Sequence, residues 1–348
     1  MELERKIAEL ATGAIGRRIF PGCVVGVVHD HLRSLQAFGK HTYEPDSPQV
    51  REDTVYDVAS LTKSVALATL AHQLLATKEI SLTTKLIEFV PEYQGGYRDE
   101  ITVRHLLTYT VGGIRLSEFT EAGADEIMRV ALNFQPTHPP GEHFEYSNVP
   151  AFLLGLLVER LMGPLDVAAA AHIWKPLDMS ATTFHLLGEN PQGLPLGSLE
   201  GEPLGIFAIP PAEEGVQGIV HDESARVFRK AGKSVGHAGL FSNVPDLLKF
   251  LDAFHEGRMD SHPAETNQIP HLGEFTALGW ELNQGHFMGA HRSSHTFGKT
   301  GFTGCSIVCD AHRRISVVIL SNRTFPKRPS DASAINEFRN AVCDIVFA

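Results

Sequence analysis

The sequence predicts a mixed α/β fold of the α+β type, in which strands from both ends of the chain form one mostly antiparallel sheet flanked by helices. Strand-like segments lie near the N-terminus and in the last third of the chain, whereas the region between them repeats apolar residues with helical spacing. Strands so far apart share one core only if the two ends of the chain meet. We therefore expect a sheet domain formed by residues 1–80 and 225–348, with a mainly helical domain, residues 81–224, inserted between them.

The N-terminal elements are a helix followed by a hairpin. Helical spacing from residue 2 to about residue 17 predicts the helix. The β-branched run 23–28 and a second apolar segment ending at Gly39 predict two strands joined by a polar turn. His29 and His31 lie in that turn with no third ligand close in sequence, so we interpret them as solvated residues rather than metal ligands.

The next element is an apolar helix over residues 60–76, in which Lys63 is the only Lys, Arg, Asp or Glu. A helix that is apolar nearly all round is buried. The middle of the chain has further helical periodicity, clearest at residues 103–108 and 151–161. Pro and Gly then predict a long irregular connection over residues 190–218, and loops of this kind set the specificity of a pocket.

The C-terminal third returns to strands. Residues 280–283, 302–309 and 315–320 alternate in polarity or are rich in β-branched residues, which predicts three strands. Residues 310–314 form a polar turn between the last two strands. An amphipathic helix over residues 331–346 closes the chain.

The composition indicates a globular protein. Of its 348 residues 43% are hydrophobic and 20% charged, and the formal charge of −11 leaves no basic face for the phosphates of nucleic acid. The longest apolar run, residues 151–158, is too short to span a bilayer. The charged N-terminus lacks the apolar stretch of a signal peptide, so we expect a cytoplasmic protein unless a leader has been removed.

The cysteines are too few and too scattered for a disulfide framework in a chain of this length. They are Cys23, Cys305, Cys309 and Cys343. Cys305 and Cys309 lie four residues apart on a predicted strand and so face the same side, a spacing that also suits two metal ligands. We favour buried free thiols, because these are common on strands, and we expect neither a metal nor a cofactor.

The first chemical signal is the pair Ser60 and Lys63. A spacing of three residues places both side chains on one face of the predicted helix, and Ser60 lies at the helix N-terminus, where negative charge is favoured. A serine hydroxyl needs a neighbouring base to become a nucleophile, and a desolvated lysine has a lowered pKa that suits this role. The same pair also fits a capping serine and a lysine that extends to solvent.

Two further signals are weak by themselves. Tyr146 and Asn148 follow a Pro-rich loop, where a phenol and an amide can face one cleft. Lys299, Thr300 and Gly301 enter the strand predicted to begin at residue 302, where a glycine lets a substrate lie close alongside and a lysine can hold a carboxylate.

Together and in this order, the three signals resemble the Ser-Xaa-Xaa-Lys, Tyr-Xaa-Asn and Lys-Thr-Gly motifs of penicillin-binding proteins and serine β-lactamases. The tyrosine of the second motif makes the resemblance strongest to the class C β-lactamase and D-alanyl-D-alanine carboxypeptidase branch, which includes many esterase-like proteins. Supporting segments are residues 56–63, 101–108, 140–146 and 236–242. The resemblance covers nearly the whole chain, from about Gly22 to Asn322.

The resemblance implies a catalytic set of four residues. Ser60 is expected to attack a carbonyl carbon, while Lys63 and Tyr146 share the proton transfers of acylation and deacylation. Lys299 is expected either to stabilise the phenolate of Tyr146 or to bind a substrate carboxylate. No separate glutamate motif of the class A type is present, so deacylation is expected to depend on Tyr146.

The resemblance also implies the groups that bind the substrate. Asn148 is expected to hold a substrate amide, and Thr300 to lend a hydroxyl next to Gly301. The backbone N–H groups of Ser60 and Phe302 are expected to form the oxyanion hole, whose donors are typically worth about 3 kcal/mol each in the transition state.

Several residues depart from the pattern or allow other interpretations. Where relatives usually have histidine and serine, this chain has Tyr109 and Val111, so the turn after the helix at 103–108 is expected to differ in shape. His237, flanked by glycines, is interpreted as a packing residue beside the helix at 60–76. The consecutive residues 221–223, His-Asp-Glu, are interpreted as a polar loop near the cleft rim, because neighbouring residues rarely converge on one ion.

These observations predict a serine acyl-hydrolase that acts through an acyl-enzyme on Ser60. A small ester, a D-amino-acid amide or peptide and a β-lactam compete as its substrate. Lys299 favours a substrate with a carboxylate, whereas the lack of a signal peptide counts against peptidoglycan and its antibiotics. An efficient class C-like β-lactamase or a D-Ala-D-Ala carboxypeptidase proper is the alternative, and a binding or scaffold protein without turnover is the second. The expected partner is a small molecule or short peptide.

Overall fold

The computed structural model describes residues 2–30, 32–184 and 218–348 of the chain. Most of the irregular connection predicted over residues 190–218 lies outside the described residues, and so does His31. In the described parts of the chain, no helix is both long and apolar enough to cross a membrane.

One six-stranded antiparallel sheet unites the two ends of the chain, as the sequence predicts, in the order β2-β1-β8-β7-β6-β5. The strands are β1 (Gly22–His29), β2 (Leu32–Gly39), β5 (Glu281–Leu282), β6 (Phe297–Thr300), β7 (Ser306–Asp310) and β8 (Ile315–Ser321). A second, two-stranded sheet pairs β3 (Tyr56–Asp57) with β4 (Phe241–Ser242). The predicted hairpin is β1 and β2, and β1 pairs with β8 on its other side.

Strand β1 is apolar up to Val28 because both of its faces are covered. Val24 and Val28 pack into a core that contains the central helices, whereas Val25 and Val27 pack into a second core on the opposite face. Side chains alternate between the two faces of a strand, so a strand with cores on both sides lacks a polar alternation. The run 23–28, which predicts one strand of a hairpin, is therefore also an inner strand of the sheet.

The helices form layers on both faces of the sheet. The terminal helices α1 (Glu2–Gly16) and α10 (Ser333–Phe347) share one core with the sheet, and α8 (Val244–His255) packs against its other face. The remaining helices are α2 (Thr69–Ala76), α3 (Val103–Leu107), α4 (Ala124–Asn133), α5 (Asn148–Met162), α6 (Leu165–Ala169), α7 (Glu223–Lys230) and α9 (His262–Glu265). The predicted helices at 103–108 and 151–161 correspond to α3 and α5. The division into two domains stays a prediction.

The strand predicted over residues 302–309 is wrong at its start. Strand β7 begins only at Ser306, whereas Lys299 and Thr300 end a separate strand, β6, that the sequence does not predict, and Gly301 follows it. The intervening residues form a tight turn, in which the N–H of Gly304 donates to Gly301 O at 3.1 Å and Gly304 has a φ of +105°. A β-branched and aromatic composition alone does not distinguish this turn from a strand.

The helix predicted from residue 60 begins slightly later and is not regular. Ser60 lies in the turn that precedes it, and the first turns, Lys63–Ala68, have π-helical geometry before the chain continues as α2. π-helical segments are rare and occur often at functional sites. The irregularity therefore lies where the chemical motif was found.

Candidate active site

Ser60 is presented by a strained turn that follows strand β3. The carboxylate of Asp57 accepts hydrogen bonds from the N–H of Ala59 at 2.7 Å and from the N–H of His221 at 2.6 Å. Ala59 has a φ of +49°, which a residue with a side chain adopts only when its surroundings hold it there. Asp57 thus fixes the turn that carries Ser60, and burial raises its pKa to about 6.

Lys63 is buried, with 1% of its surface exposed, and its amine points to Ser60. Its Nζ donates to Ser60 Oγ at 3.0 Å, to Asn148 Oδ1 at 2.9 Å and to the carbonyl of His237 at 2.6 Å. Burial lowers the pKa of Lys63 below the ordinary value of a lysine, although the Tyr146 phenol partly opposes this effect. The alternative of a lysine that extends to solvent is therefore wrong.

Tyr146 faces the same cleft, with 44% of its surface exposed. The amines of Lys299 and Lys63 lie 4.3 Å and 5.4 Å from its ring centroid. Burial of the hydroxyl raises the pKa of Tyr146, whereas the two amines lower it. The effect of the amines is larger, so the net pKa lies below the ordinary value of a tyrosine. The ring packs on Tyr109 with centroids 5.0 Å apart.

Lys299 is buried and pairs with Glu281, a residue that the sequence analysis missed. Its Nζ donates to Glu281 Oε1, and Thr300 Oγ1 donates to the same oxygen at 3.3 Å. Burial would lower the pKa of Lys299, but Glu281 and Tyr146 raise it above the ordinary value. Lys299 therefore stays charged. Of its two predicted roles, support of the Tyr146 phenolate fits this geometry better than binding of a substrate carboxylate.

Asn148 connects Lys63 to a buried polar network around Asp222. The amide of Asn148 donates to Asp222 Oδ2 at 3.3 Å, while Asp222 Oδ1 accepts from Ser224 Oγ at 2.7 Å. The ring of His237 lies 3.3 Å from the same carboxylate and is fully buried. The segment 221–223 is thus more than a polar rim, since Asp222 both lines the cleft and caps helix α7.

Two glycines allow close contacts that larger residues would prevent. A Cβ on Gly301 would lie 2.6 Å from the carbonyl oxygen of Val58, so this glycine lets the end of β6 approach the turn that carries Ser60. A Cβ on Gly236 would lie 2.7 Å from a side-chain carbon of Leu67. The segment containing His237 therefore packs closely against the π-helical turns.

The two predicted oxyanion-hole amides belong to segments that face each other across the Gly301 contact. Ser60 and Phe302 both line the cleft. Within the described residues, neither N–H donates a hydrogen bond to the protein. Both amides are therefore available to an oxygen of a bound substrate.

The cleft has a volume of about 1100 Å³ and is lined by Ser60, Tyr146, Asn148, Asp222, Thr300, Gly301 and Phe302, whereas Lys63 and Lys299 are buried and do not line it. Its lining carries charges of both signs: Arg115, Arg323, Arg328 and Arg339 together with Glu145, Asp222, Glu223 and Asp331. Arg339 is committed to the fold, because it donates to the carbonyls of Gly301 and Cys305. In the described part of the chain, no group of three metal-ligating side chains converges inside this cleft.

Comparison with known proteins gives relatives of several activities. The chain is 29% identical over 311 residues to a putative D-alanyl-D-alanine carboxypeptidase of Escherichia coli (strain K12), covering 78% of this chain and 69% of that protein. It is 28% identical over 347 residues to an N-acetylmuramyl-L-alanine amidase of Bacillus subtilis (strain 168), covering 87% of this chain and 77% of that protein.

Solved structures show the same fold at low sequence identity. A class C beta-lactamase superimposes with a TM-score of 0.73 at 17% identity, covering 98% of this chain and 97% of that chain. EstCE1, a hydrolase with promiscuous acyltransferase activity, has the same TM-score of 0.73 at 17% identity and covers 99% of this chain and 98% of its own. The family model for beta-lactamases matches residues 3–339. The chain therefore belongs to the beta-lactamase family and is a serine hydrolase.

Proposed function

We propose that this hydrolase works through an acyl-enzyme on Ser60. The observation that carries the proposal is the buried amine of Lys63, 3.0 Å from Ser60 Oγ, with a pKa below that of an ordinary lysine. In its neutral form this amine has a lone pair that can take the hydroxyl proton. The bond from Oγ to the substrate carbonyl carbon then forms, and the bond from that carbon to the leaving group breaks.

Tyr146 is proposed as the second member of the proton relay. Its lowered pKa makes the phenolate accessible, and the charged amine of Lys299 next to the ring stabilises that state. The proton taken from Ser60 leaves with the departing amine or alcohol. A water molecule then attacks the acyl-enzyme, gives its proton to the same relay and releases the acid, which restores Ser60.

The proposed oxyanion hole is formed by the amides of Ser60 and Phe302. Each amide is free of protein acceptors among the described residues, and Gly301 keeps the two segments in contact. Asn148 is proposed to hold a substrate amide, although its own amide is already oriented by Lys63 and Asp222. A substrate carbonyl therefore meets a side chain whose rotamer is fixed in advance.

We favour a peptide amide that carries a carboxylate as the substrate class. The guanidinium of Arg328 lies 4.2 Å from the ring centroid of Phe302, next to the proposed oxyanion hole, and is exposed on the cleft wall. Arginine pairs well with carboxylates. Two relatives are named as a putative carboxypeptidase and an amidase, which supports an amide substrate. Small esters are the second candidate and β-lactams are the last.

A covalent probe tests the proposed nucleophile. Purified protein is treated with a fluorophosphonate or a penicillin, and the adduct is measured by intact mass. We expect labelling of the wild type and of S117A, which removes another serine of the cleft, but none of S60A. Labelling of S60A, or none of the wild type by either probe, would contradict the proposal.

Substrate competition tests the proposed class. A D-Ala-D-Ala peptide, a nitrophenyl ester and a chromogenic cephalosporin are compared by kcat/KM. We expect the peptide to be the best of the three, and R328A to raise KM for the peptide while leaving KM for the uncharged ester unchanged. An ester that outperforms the peptide by tenfold or more would favour the second candidate.

A further inference from the structure

Three side chains that can bind a metal converge at the opposite end of strand β6 from the catalytic motif. They are Glu265 at the end of α9, His295 in the turn before β6 and His312 in the turn between β7 and β8. Strands β6 and β7 pair in register with Phe297 opposite Cys309, which brings these two turns to the same end of the sheet. The ligand atoms of the three side chains all lie within 4.8 Å of one another.

The carboxylate of Glu265 is held in place and has one oxygen directed at the histidines. Its side chain is 8% exposed, and Oε1 accepts from Ser261 Oγ at 3.0 Å. The other oxygen, Oε2, is buried and makes no hydrogen bond of good geometry within the described residues, although it lies 3.1 Å from Nε2 of His312. A buried carboxylate oxygen without a donor is costly, and a positive charge beside it, on a protonated His312 or on a metal ion held with that ring, offsets the cost.

The two histidines complete a set of three ligands that suits some metal ions better than others. The rings of His295 and His312 are both exposed, with centroids 4.9 Å apart, so they can rotate toward a common ion without disturbing the core. Two imidazoles and one carboxylate suit Zn²⁺ and similar transition-metal ions, whereas Mg²⁺ and Ca²⁺ prefer oxygen ligands alone. We infer that Glu265, His295 and His312 bind a Zn²⁺-type ion, with water in the fourth position.

The position of this site indicates a structural role. His295 is about five residues before Thr300, which is roughly 15 Å at the rise of a β-strand. Because Thr300 lines the cleft together with Ser60, the metal site is remote from the nucleophile. An ion bound there would join α9 to two turns of the sheet, which come from three separate parts of the chain. Because an unfolded chain holds no such arrangement, binding stabilises the folded state.

The test uses tag-free protein treated with EDTA and then titrated with ZnCl₂ by calorimetry. We expect one Zn²⁺ per chain with a Kd below about 10 µM, a rise in Tm with zinc, and loss of both in H295A/H312A. The matched control is H138A/H143A, which removes another pair of neighbouring histidines, with ring centroids 4.1 Å apart, that belongs to no such group of three ligands among the described residues. This control should bind one ion as the wild type does.

Several results would overturn the inference. The wild type would show no Zn²⁺ binding with a Kd below 100 µM, or H295A/H312A would bind Zn²⁺ as well as the wild type does, or H138A/H143A would lose Zn²⁺ binding. E265Q provides a second measurement, since it keeps both histidines and should weaken Zn²⁺ binding at least tenfold. The removed side chains of H295A/H312A are exposed, so a circular dichroism spectrum like that of the wild type is expected and excludes misfolding as the cause.

Discussion

The side-chain amide of Asn148 donates to the carboxylate of Asp222 at 3.3 Å. This contact determines which end of the Asn148 side chain faces the nucleophile, since the opposite atom, Oδ1, must then accept from Lys63. Burial would raise the pKa of Asp222, but the neighbouring His237 and other donors lower it well below the usual range. Asp222 therefore stays charged, and its charge raises the pKa of Lys63.

Replacing Asp222 with asparagine should change both the rate and its pH dependence. If neutral Lys63 is the base, kcat/KM rises with pH through the pKa of Lys63, which burial places below that of free lysine. D222N removes a negative charge that raises this pKa, so the rise should move to lower pH. The plateau should fall about tenfold, because Asn148 loses its support. The measurement is a pH profile with a nitrophenyl ester.

The matched control for this variant is E223Q, which removes one negative charge at the next position. Glu223 also lines the cleft but does not bond to Asn148. Its pH profile should follow that of the wild type. A D222N profile that keeps the wild-type midpoint, or a wild-type rise only near pH 10, would exclude this role of Lys63 and Asp222.

The sequence predicts the central chemical groups because each belongs to a short motif. Ser60 and Lys63 are three residues apart at the start of one predicted helix, and Tyr146 and Asn148 are two apart where a loop meets the next helix, so each pair is visible locally. Only the combination of the three motifs in order makes them specific. Asp222 carries no such signal. It reaches Asn148 only through the folded chain, 74 residues away, and its neighbours His221 and Glu223 make it look like part of a polar loop.

The same limit explains the other omissions. The sequence predicts a strand at Glu281, but the pairing of Glu281 with Lys299 depends on the register of β5 with β6, and no local pattern predicts β6. The break after Thr300 depends on a turn whose φ angles are not visible in composition. The sheet was easier to predict, because β1 and β8 are long apolar runs that each need two cores.

Replacing Glu281 with glutamine should destabilise the protein. Lys299 and Glu281 have 2% and 20% exposed side chains, so the substitution leaves a buried amine without its counter-charge. Breaking a buried ion pair from one side typically costs about 3 kcal/mol or more in the free energy of unfolding. The measurement is urea denaturation of E281Q.

Two further variants test whether the loss of stability in E281Q comes from the buried pair of Lys299 and Glu281. E9Q breaks an ion pair with Arg5 in which both side chains are 62% exposed, and it should leave the free energy of unfolding nearly unchanged. The double variant K299M/E281L should recover most of the lost stability while remaining inactive. Equal stability of E281Q and wild type would show that Lys299 does not depend on this partner.

Tyr109 should affect catalysis through its contact with Tyr146. The two rings pack with centroids 5.0 Å apart, and Tyr109 has a φ of +56°. Phenylalanine and leucine meet the same backbone strain at this position, but only phenylalanine keeps an aromatic ring. Y109F should therefore retain kcat, whereas Y109L should lose about fivefold, since aromatic pairs are worth about 1 kcal/mol. Equal kcat values for the two variants would rule out a positioning role.

Adding one methyl group at Gly301 should separate the two halves of the proposed oxyanion hole. The new Cβ would lie 2.6 Å from the carbonyl oxygen of Val58, so the end of β6 must move away from the turn that holds Ser60. Small displacements in an active site lower rates strongly, and we expect fluorophosphonate labelling of G301A to slow at least 100-fold.

The control for G301A is G13A, at a helical glycine where a Cβ would meet nothing within 4 Å. Alanine is favoured over glycine inside a helix by about 1 kcal/mol, so G13A should raise Tm and label at the wild-type rate. If G301A keeps a cooperative thermal transition while its labelling slows, the loss comes from the geometry of the site rather than from unfolding. Labelling of G301A at the wild-type rate would mean that the amide of Phe302 takes no part in acylation.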